Sequence, residues 1–159
     1  MTTKLLLLLQ LTLVTLLSSS ISLVSAFTMS STPTGRHPHC ELPGDPSLIL
    51  QTNVDLGDKK AQILKDLSAL VANSLGKPES YVAISITDNV SMLFGGSDAP
   101  LALGCLYSLG SINMVNNGKV QAGVTDALEP FGVAENRIYI NFFDVPRENV
   151  GWNRATFAG

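Results

Sequence analysis

The chain has 159 residues, a formal net charge of −3, 45% hydrophobic residues and two cysteines. That length fits one domain. No basic cluster of the kind that binds nucleic acid is present, and two cysteines do not make a disulfide scaffold.

Lys4 precedes an apolar run from Leu5 to Leu17, interrupted by Gln10 and two threonines. Ser18 to Ser20 then follow, and Val24-Ser25-Ala26 offers small residues before Phe27. This is the layout of a secretory signal peptide over residues 1–26. The uninterrupted apolar run is shorter than the roughly 20 residues of a spanning helix. Residues 27–45 hold Thr28, Ser30, Ser31, Thr32, Pro33, Gly35, Pro38, Pro43 and Gly44. Such a composition reads as a disordered linker or a transit or pro-segment, because it buries too little surface to offset ordering. The folded part is expected at residues 46–159.

Pro46 heads the first predicted strand, Ser47 to Asn53, in which Leu48, Ile49 and Leu50 are continuously apolar. Such a run suits a strand covered on both faces. From Lys59 the period turns helical: Ile63, Leu67, Leu70, Val71 and Ser74 share one face. Gly76 and Pro78 stop that helix. Tyr81 to Thr87 alternates, with Val82, Ile84 and Ile86 on one side. Asp88-Asn89 turns the chain, Ser91 to Phe94 is a short extended piece, and Gly95-Gly96 is a tight turn. Leu101 to Ile112 reads as a strand and Asn113 to Gly118 as a polar turn. Val120, Val124, Ala127, Leu128 and Phe131 recur at helical spacing until Gly132. Arg137 to Asp144 is the last main strand.

Leu75 to Asp88, "LGKPESYVAISITD", aligns with Phe131 to Asp144, "FGVAENRIYINFFD", at a constant offset of 56. Gly76, Glu79, Ile84 and Asp88 meet Gly132, Glu135, Ile140 and Asp144. Together with the repeated element order, this predicts a duplicated strand-helix-strand unit. The expected α/β fold is a four-stranded mixed sheet with two helices on one face, the strands of each crossover being parallel. Apolar residues on both faces of several strands leave the second face needing cover, so an oligomer with facing sheets is expected.

Six collinear segments, "PSLILQTNV" (46–54), "GKPESYV" (76–82), "MLFGGSDAP" (92–100), "LYSLGSI" (106–112), "RIYINFFD" (137–144) and "VGWNRATFA" (150–158), resemble the macrophage migration inhibitory factor family, which includes D-dopachrome tautomerase. The resemblance implies a homotrimer whose sheets line a central barrel. It implies keto–enol tautomerisation of phenylpyruvate-like keto acids and dopachrome derivatives, with an N-terminal proline as base and no cofactor. Pro46 matches that proline and Lys77 the lysine that binds the substrate's acidic end. Leu109 stands where the family has a pocket isoleucine. Tyr139 matches a pocket tyrosine, and Asn141 an asparagine contributed by a neighbouring subunit. Tyr81, Trp152 and Phe157 match the aromatic rim.

The chain departs from the family at several places. Leu101-Ala102-Leu103-Gly104 replaces the Cys-x-x-Cys pair of redox-active members, so thiol–disulfide activity is not expected. Phe142 and Phe143 replace tyrosines. Most of all, 45 residues precede Pro46, whose nitrogen is therefore an amide. The resemblance thus leaves two functions: a tautomerase active after cleavage at Asp45–Pro46, or a catalytically silent, cytokine-like protein that binds a cell-surface receptor. The leader implies secretion, with no membrane association after its removal. Alternatively, Ser25-Ala26-Phe27 resembles the cleavage motif of plastid-targeting leaders in algae with secondary plastids. His37, His39 and Cys40 lack a fourth ligand nearby, so no metal site is expected. Whether Cys40 pairs with Cys105 is open from sequence. Asn89-Val90-Ser91 fits a glycosylation sequon.

Overall fold

The computed structural model describes residues 45–159. The leader and the linker up to Gly44, with His37, His39 and Cys40, lie outside the described residues. Four strands, β1 (Ser47–Thr52), β2 (Ala83–Thr87), β3 (Ala102–Ser108) and β4 (Ile138–Asp144), form one sheet in the order β2-β1-β3-β4. The β1–β2 and β3–β4 pairs are parallel and β1–β3 is antiparallel. Two helices, α1 (Lys60–Leu75) and α2 (Met114–Leu128), supply the two crossovers. A short ribbon of β5 (Gly151–Trp152) and β6 (Ala155–Thr156) follows.

The predicted duplication is present in the backbone. Ser47 pairs with Ala83, and Leu103, 56 residues later, pairs with Tyr139, also 56 residues after Ala83. Gly76 and Gly132 both have positive φ, 63° and 81°. A 3-10 turn precedes each second strand, at Glu79–Tyr81 and Glu135–Arg137. Asp88 and Asp144, at the ends of β2 and β4, each accept a backbone N–H from a neighbouring loop, that of Leu56 at 3.2 Å and that of Gly110 at 2.9 Å.

The core lies between the helices and one sheet face. Leu48, Leu50, Ile86, Ala102, Leu106 and Ile138 project from the sheet. Ile63, Leu67, Val71, Val120, Val124 and Leu128 meet them from the helices. Fully burying one such side chain is worth about 1.5–3 kcal/mol. Thr52 is buried among them because its hydroxyl donates to Leu101 O at 2.7 Å, which offsets its desolvation.

The other sheet face is open in the single chain. Alternation along β1, β3 and β4 turns Ile49, Leu103, Tyr107, Tyr139 and Phe143 outward, and all are exposed. Tyr107 stacks on Phe143 with ring centroids 4.9 Å apart, and half-buried Cys105 shares that face. The expected unpartnered apolar face is therefore real.

Three local expectations are corrected. Asn113 to Gly118 is not a turn: α2 begins at Met114, and the Asn113 side chain caps it by accepting the Asn116 N–H at 3.0 Å. A polar first turn is compatible with a helix when its orphan donors are capped. The strand expected over 101–112 ends at Ser108, because Gly110 and Ser111 adopt left-handed backbone at φ 72° and 63°. Tyr81 lies in a 3-10 turn rather than in β2. Within Ser91 to Phe94, Phe94 makes an isolated bridge to Ser97. Gly95 and Gly96 between them have φ 59° and 78°, as a tight two-residue turn requires. Arg137 secures this loop through Pro100 O and Ala99 O, both at 2.9 Å, with its guanidinium over the Phe94 ring.

Candidate active site

Pro46 is buried immediately before β1, and its carbonyl accepts the Ala83 N–H at 2.9 Å. A proline fits there because a strand start needs no N–H from it. The antiparallel register, Ser47 opposite Tyr107, brings the loop after β3 to the same end of the sheet. Leu109, 1% exposed, stands in that loop.

Lys77 enters from the other side. The left-handed cap at Gly76 ends α1, and Lys77 follows with its N–H bonded to Ala72 O at 3.0 Å. Its side chain turns inward, is 7% exposed, and donates from Nζ to Leu109 O at 2.8 Å. The lysine that pattern alone would leave in solvent is thus held within the protein by a backbone acceptor. A buried ammonium is costly unless hydrogen-bonded, so this position is specified rather than tolerated.

Three aromatic rings gather on the same side. Tyr81 precedes β2 and meets Trp152 edge-on at 6.2 Å, and Trp152 stacks on Phe157 at 5.7 Å. The ribbon of β5 and β6 holds two of these rings in place: Trp152 pairs with Ala155, and Phe157 N bonds to Val150 O at 3.0 Å.

Tyr139 and Asn141 stand apart from this group within one chain. Tyr139 pairs with Leu103, toward the opposite end of β3 from Leu109, and Asn141 pairs with Cys105 at the middle of β3. Tyr139 packs against Phe94 at 4.7 Å and borders an apolar groove of about 430 Å³ with Met92, Leu93 and Leu103. It is 62% exposed and shares the open face with exposed Asn141.

Asp45, the residue before Pro46, is half-buried. Burial pushes its carboxyl above the ordinary range, opposed by a hydrogen bond from Ser47 Oγ at 3.5 Å. Asp144 was visible in the sequence only as a repeat match, with no role attached. The signal that points to it is its partner Asp88, because both end a strand and both anchor a loop.

The profile of the macrophage migration inhibitory factor family matches residues 45–158. The chain belongs to this family. A macrophage migration inhibitory factor homolog of Trichinella spiralis is 41% identical over 113 residues, covering 70% of this chain and 99% of that protein. The Xenopus tropicalis macrophage migration inhibitory factor is 39% identical over 114 residues, with 71% and 99% covered. Among solved structures, that of the Trichinella spiralis factor aligns with a TM-score of 0.64 at 40% identity, over 70% of this chain and 99% of that one. The homologue from Prochlorococcus marinus aligns with a TM-score of 0.66 at 34% identity, over 70% and 98%.

Macrophage migration inhibitory factor proteins are known as trimers. That assembly accounts for the open sheet face. Tyr139 and Asn141 both lie on that open face. Among the described residues, no helix is long and apolar enough to cross a membrane.

Proposed function

We propose that residues 46–159 catalyse keto–enol tautomerisation of small aromatic keto acids of the phenylpyruvate type, or isomerisation of dopachrome-like compounds. The base is Pro46 after cleavage between Asp45 and Pro46. One observation carries this reading: buried Pro46 stands at the same sheet end as the buried Lys77–Leu109 contact.

The chemistry follows from the groups. An ordinary α-amino group has a pKa of about 7.7–8.0, and apolar surroundings favour its uncharged form. Freed by cleavage, the Pro46 nitrogen becomes a secondary amine. It takes a proton from the carbon beside the substrate carbonyl and returns it elsewhere on the enol. The Lys77 ammonium balances the substrate carboxylate. Leu109 and the rings of Tyr81, Trp152 and Phe157 receive its aromatic part. Tyr139 and Asn141 of a neighbouring subunit would complete the pocket. The leader would deliver the chain to the secretory pathway or, in an alga with a secondary plastid, onward to that organelle; a fluorescent fusion in the source cell separates the two.

Phenylpyruvate tautomerase assays on the full chain and on a chain beginning at Pro46 test the reading. Activity confined to the trimmed chain supports it, and inactivity of both forms overturns it. Full activity of trimmed Pro46→Gly would remove the proline mechanism. A second reading is favoured by the amide at Pro46: while 45 residues precede it, the nitrogen has no basic lone pair. In that state the trimer acts as a cytokine-like binding protein with a silent pocket.

A further inference from the structure

We infer that Asp144 is a positioning residue for the Lys77 ammonium of the proposed site, acting through the peptide unit between Leu109 and Gly110; the inference rests on the tautomerase reading above. The Leu109 carbonyl and the Gly110 N–H belong to one planar unit, so turning one turns the other. Lys77 Nζ donates to the oxygen at 2.8 Å, and the nitrogen donates to Asp144 Oδ1 at 2.9 Å. A cation on the oxygen and a carboxylate on the N–H both reinforce the peptide dipole, and each hydrogen bond polarises the other.

The loop needs such a clamp. Gly110 and Ser111 are consecutive residues at φ 72° and 63°. For Ser111 this is a sparsely populated conformation, which persists only where its surroundings determine it. Lysine has a long side chain with much rotamer freedom to lose. The Leu109 oxygen is one of the groups that set its aim. Without the Asp144 carboxylate, the Gly110 N–H loses its acceptor, the peptide unit is held less firmly, and the Leu109 oxygen to which the ammonium donates is less precisely placed.

The duplication provides an internal control. Asp88, 56 residues before Asp144, anchors the loop after β1 through the Leu56 N–H and pairs with Lys60 at 2.7 Å. Val133 holds the repeat position that corresponds to Lys77. Asp88 thus performs the same backbone task without a buried, substrate-binding lysine at the loop it holds.

The test compares Asp144→Ala, Asp144→Asn and Asp88→Ala in the chain trimmed to Pro46. The solved Trichinella spiralis chain, 99% of which is covered, shows that the fold stands at this length. Asp144→Ala is expected to raise the phenylpyruvate KM about tenfold with kcat within about twofold, a loss of binding shared by ground and transition states. Asp144→Asn, which keeps an acceptor oxygen, should recover most of the affinity. Asp88→Ala should lower Tm and leave KM alone. Gly110 amide exchange should accelerate in Asp144→Ala only. An unchanged KM in folded Asp144→Ala, or an equal rise in Asp88→Ala, overturns the role. If Asp144→Ala does not fold, Asp144→Glu, which displaces the carboxylate by one methylene, carries the comparison, and an unchanged KM is again fatal. If the trimmed wild type shows no turnover, the tautomerase reading fails by itself. Phenylpyruvate binding, followed by Trp152 fluorescence, then judges Asp144: about tenfold weaker binding in Asp144→Ala supports the role and unaltered binding overturns it.

Discussion

Lys77 and Val133 occupy equivalent places in the two halves of the fold, each directly after a left-handed glycine, and both are buried, at 7% and 1% exposure. One half fills the place with a hydrophobe and the other with a cation bonded to Leu109 O. A charge where packing accepts valine is a local inconsistency of the kind found at functional sites. Lys77→Met should therefore keep the fold, changing stability by no more than about 1–2 kcal/mol, since the long apolar stem is retained while the charged hydrogen bond to Leu109 O is lost. Its phenylpyruvate KM should rise more than tenfold. Urea unfolding and steady-state kinetics on one preparation check both statements.

Leu103 and Ile49 lie outward on the open face, 42% and 49% exposed in the single chain. A carboxylate in a face that meets another sheet would be buried unpaired, which is strongly unfavourable. Leu103→Glu should convert the trimer to monomer in sedimentation velocity, with an unchanged far-ultraviolet spectrum. Tautomerase activity of the trimmed chain should disappear with the trimer, because Tyr139 and Asn141 would no longer reach a neighbour's Pro46. A monomer with full activity would show that these two residues are not shared between subunits.

Asp88 titrates below the ordinary carboxylate range, chiefly because Lys60 donates to it and then because the Leu56 N–H does. A carboxyl lowered in the folded state contributes stability that is present above its unfolded value, near 3.9, and lost as pH falls toward the folded value. Wild type should exceed Asp88→Asn in Tm at pH 6–8. The gap should close as pH falls below about 4. A gap independent of pH would show that the Asp88 charge is not the source of the added stability.

Much of the architecture was legible because it is written in periodicity. The switch from the Leu48–Leu50 run to the Ile63–Leu67–Val71 stripe marks strand and helix, and all of these but outward-facing Ile49 belong to the core. The repeat of Gly76, Glu79 and Asp88 at Gly132, Glu135 and Asp144 announced the duplicated register. The start of α2 was missed because Met114 to Gly118 lacks an apolar stripe; one cap at Asn113 outweighs that composition. In the candidate site, Pro46, Lys77 and Leu109 were recognised by resemblance rather than by pattern. Lys77 after a helix stop reads as a solvated cation until its acceptor is seen. Asp144 carried no chemical signature, since its partner is a backbone N–H that any residue would supply.

Sequence by itself determined the elements, the crossovers and the two-sided apolar strands, because hydrophobic spacing obeys the 2.0 and 3.6 periods of backbone geometry. It also determined that Pro46 is an amide for as long as Asp45 precedes it. Only the tertiary structure decided which of these residues meet. The antiparallel β1–β3 register gathers Pro46, Lys77 and Leu109 at one end, and the parallel β3–β4 register carries Tyr139 and Asn141 away onto the open face. Those pairings join residues far apart in the chain, and no local period encodes which distant strand a given strand will choose.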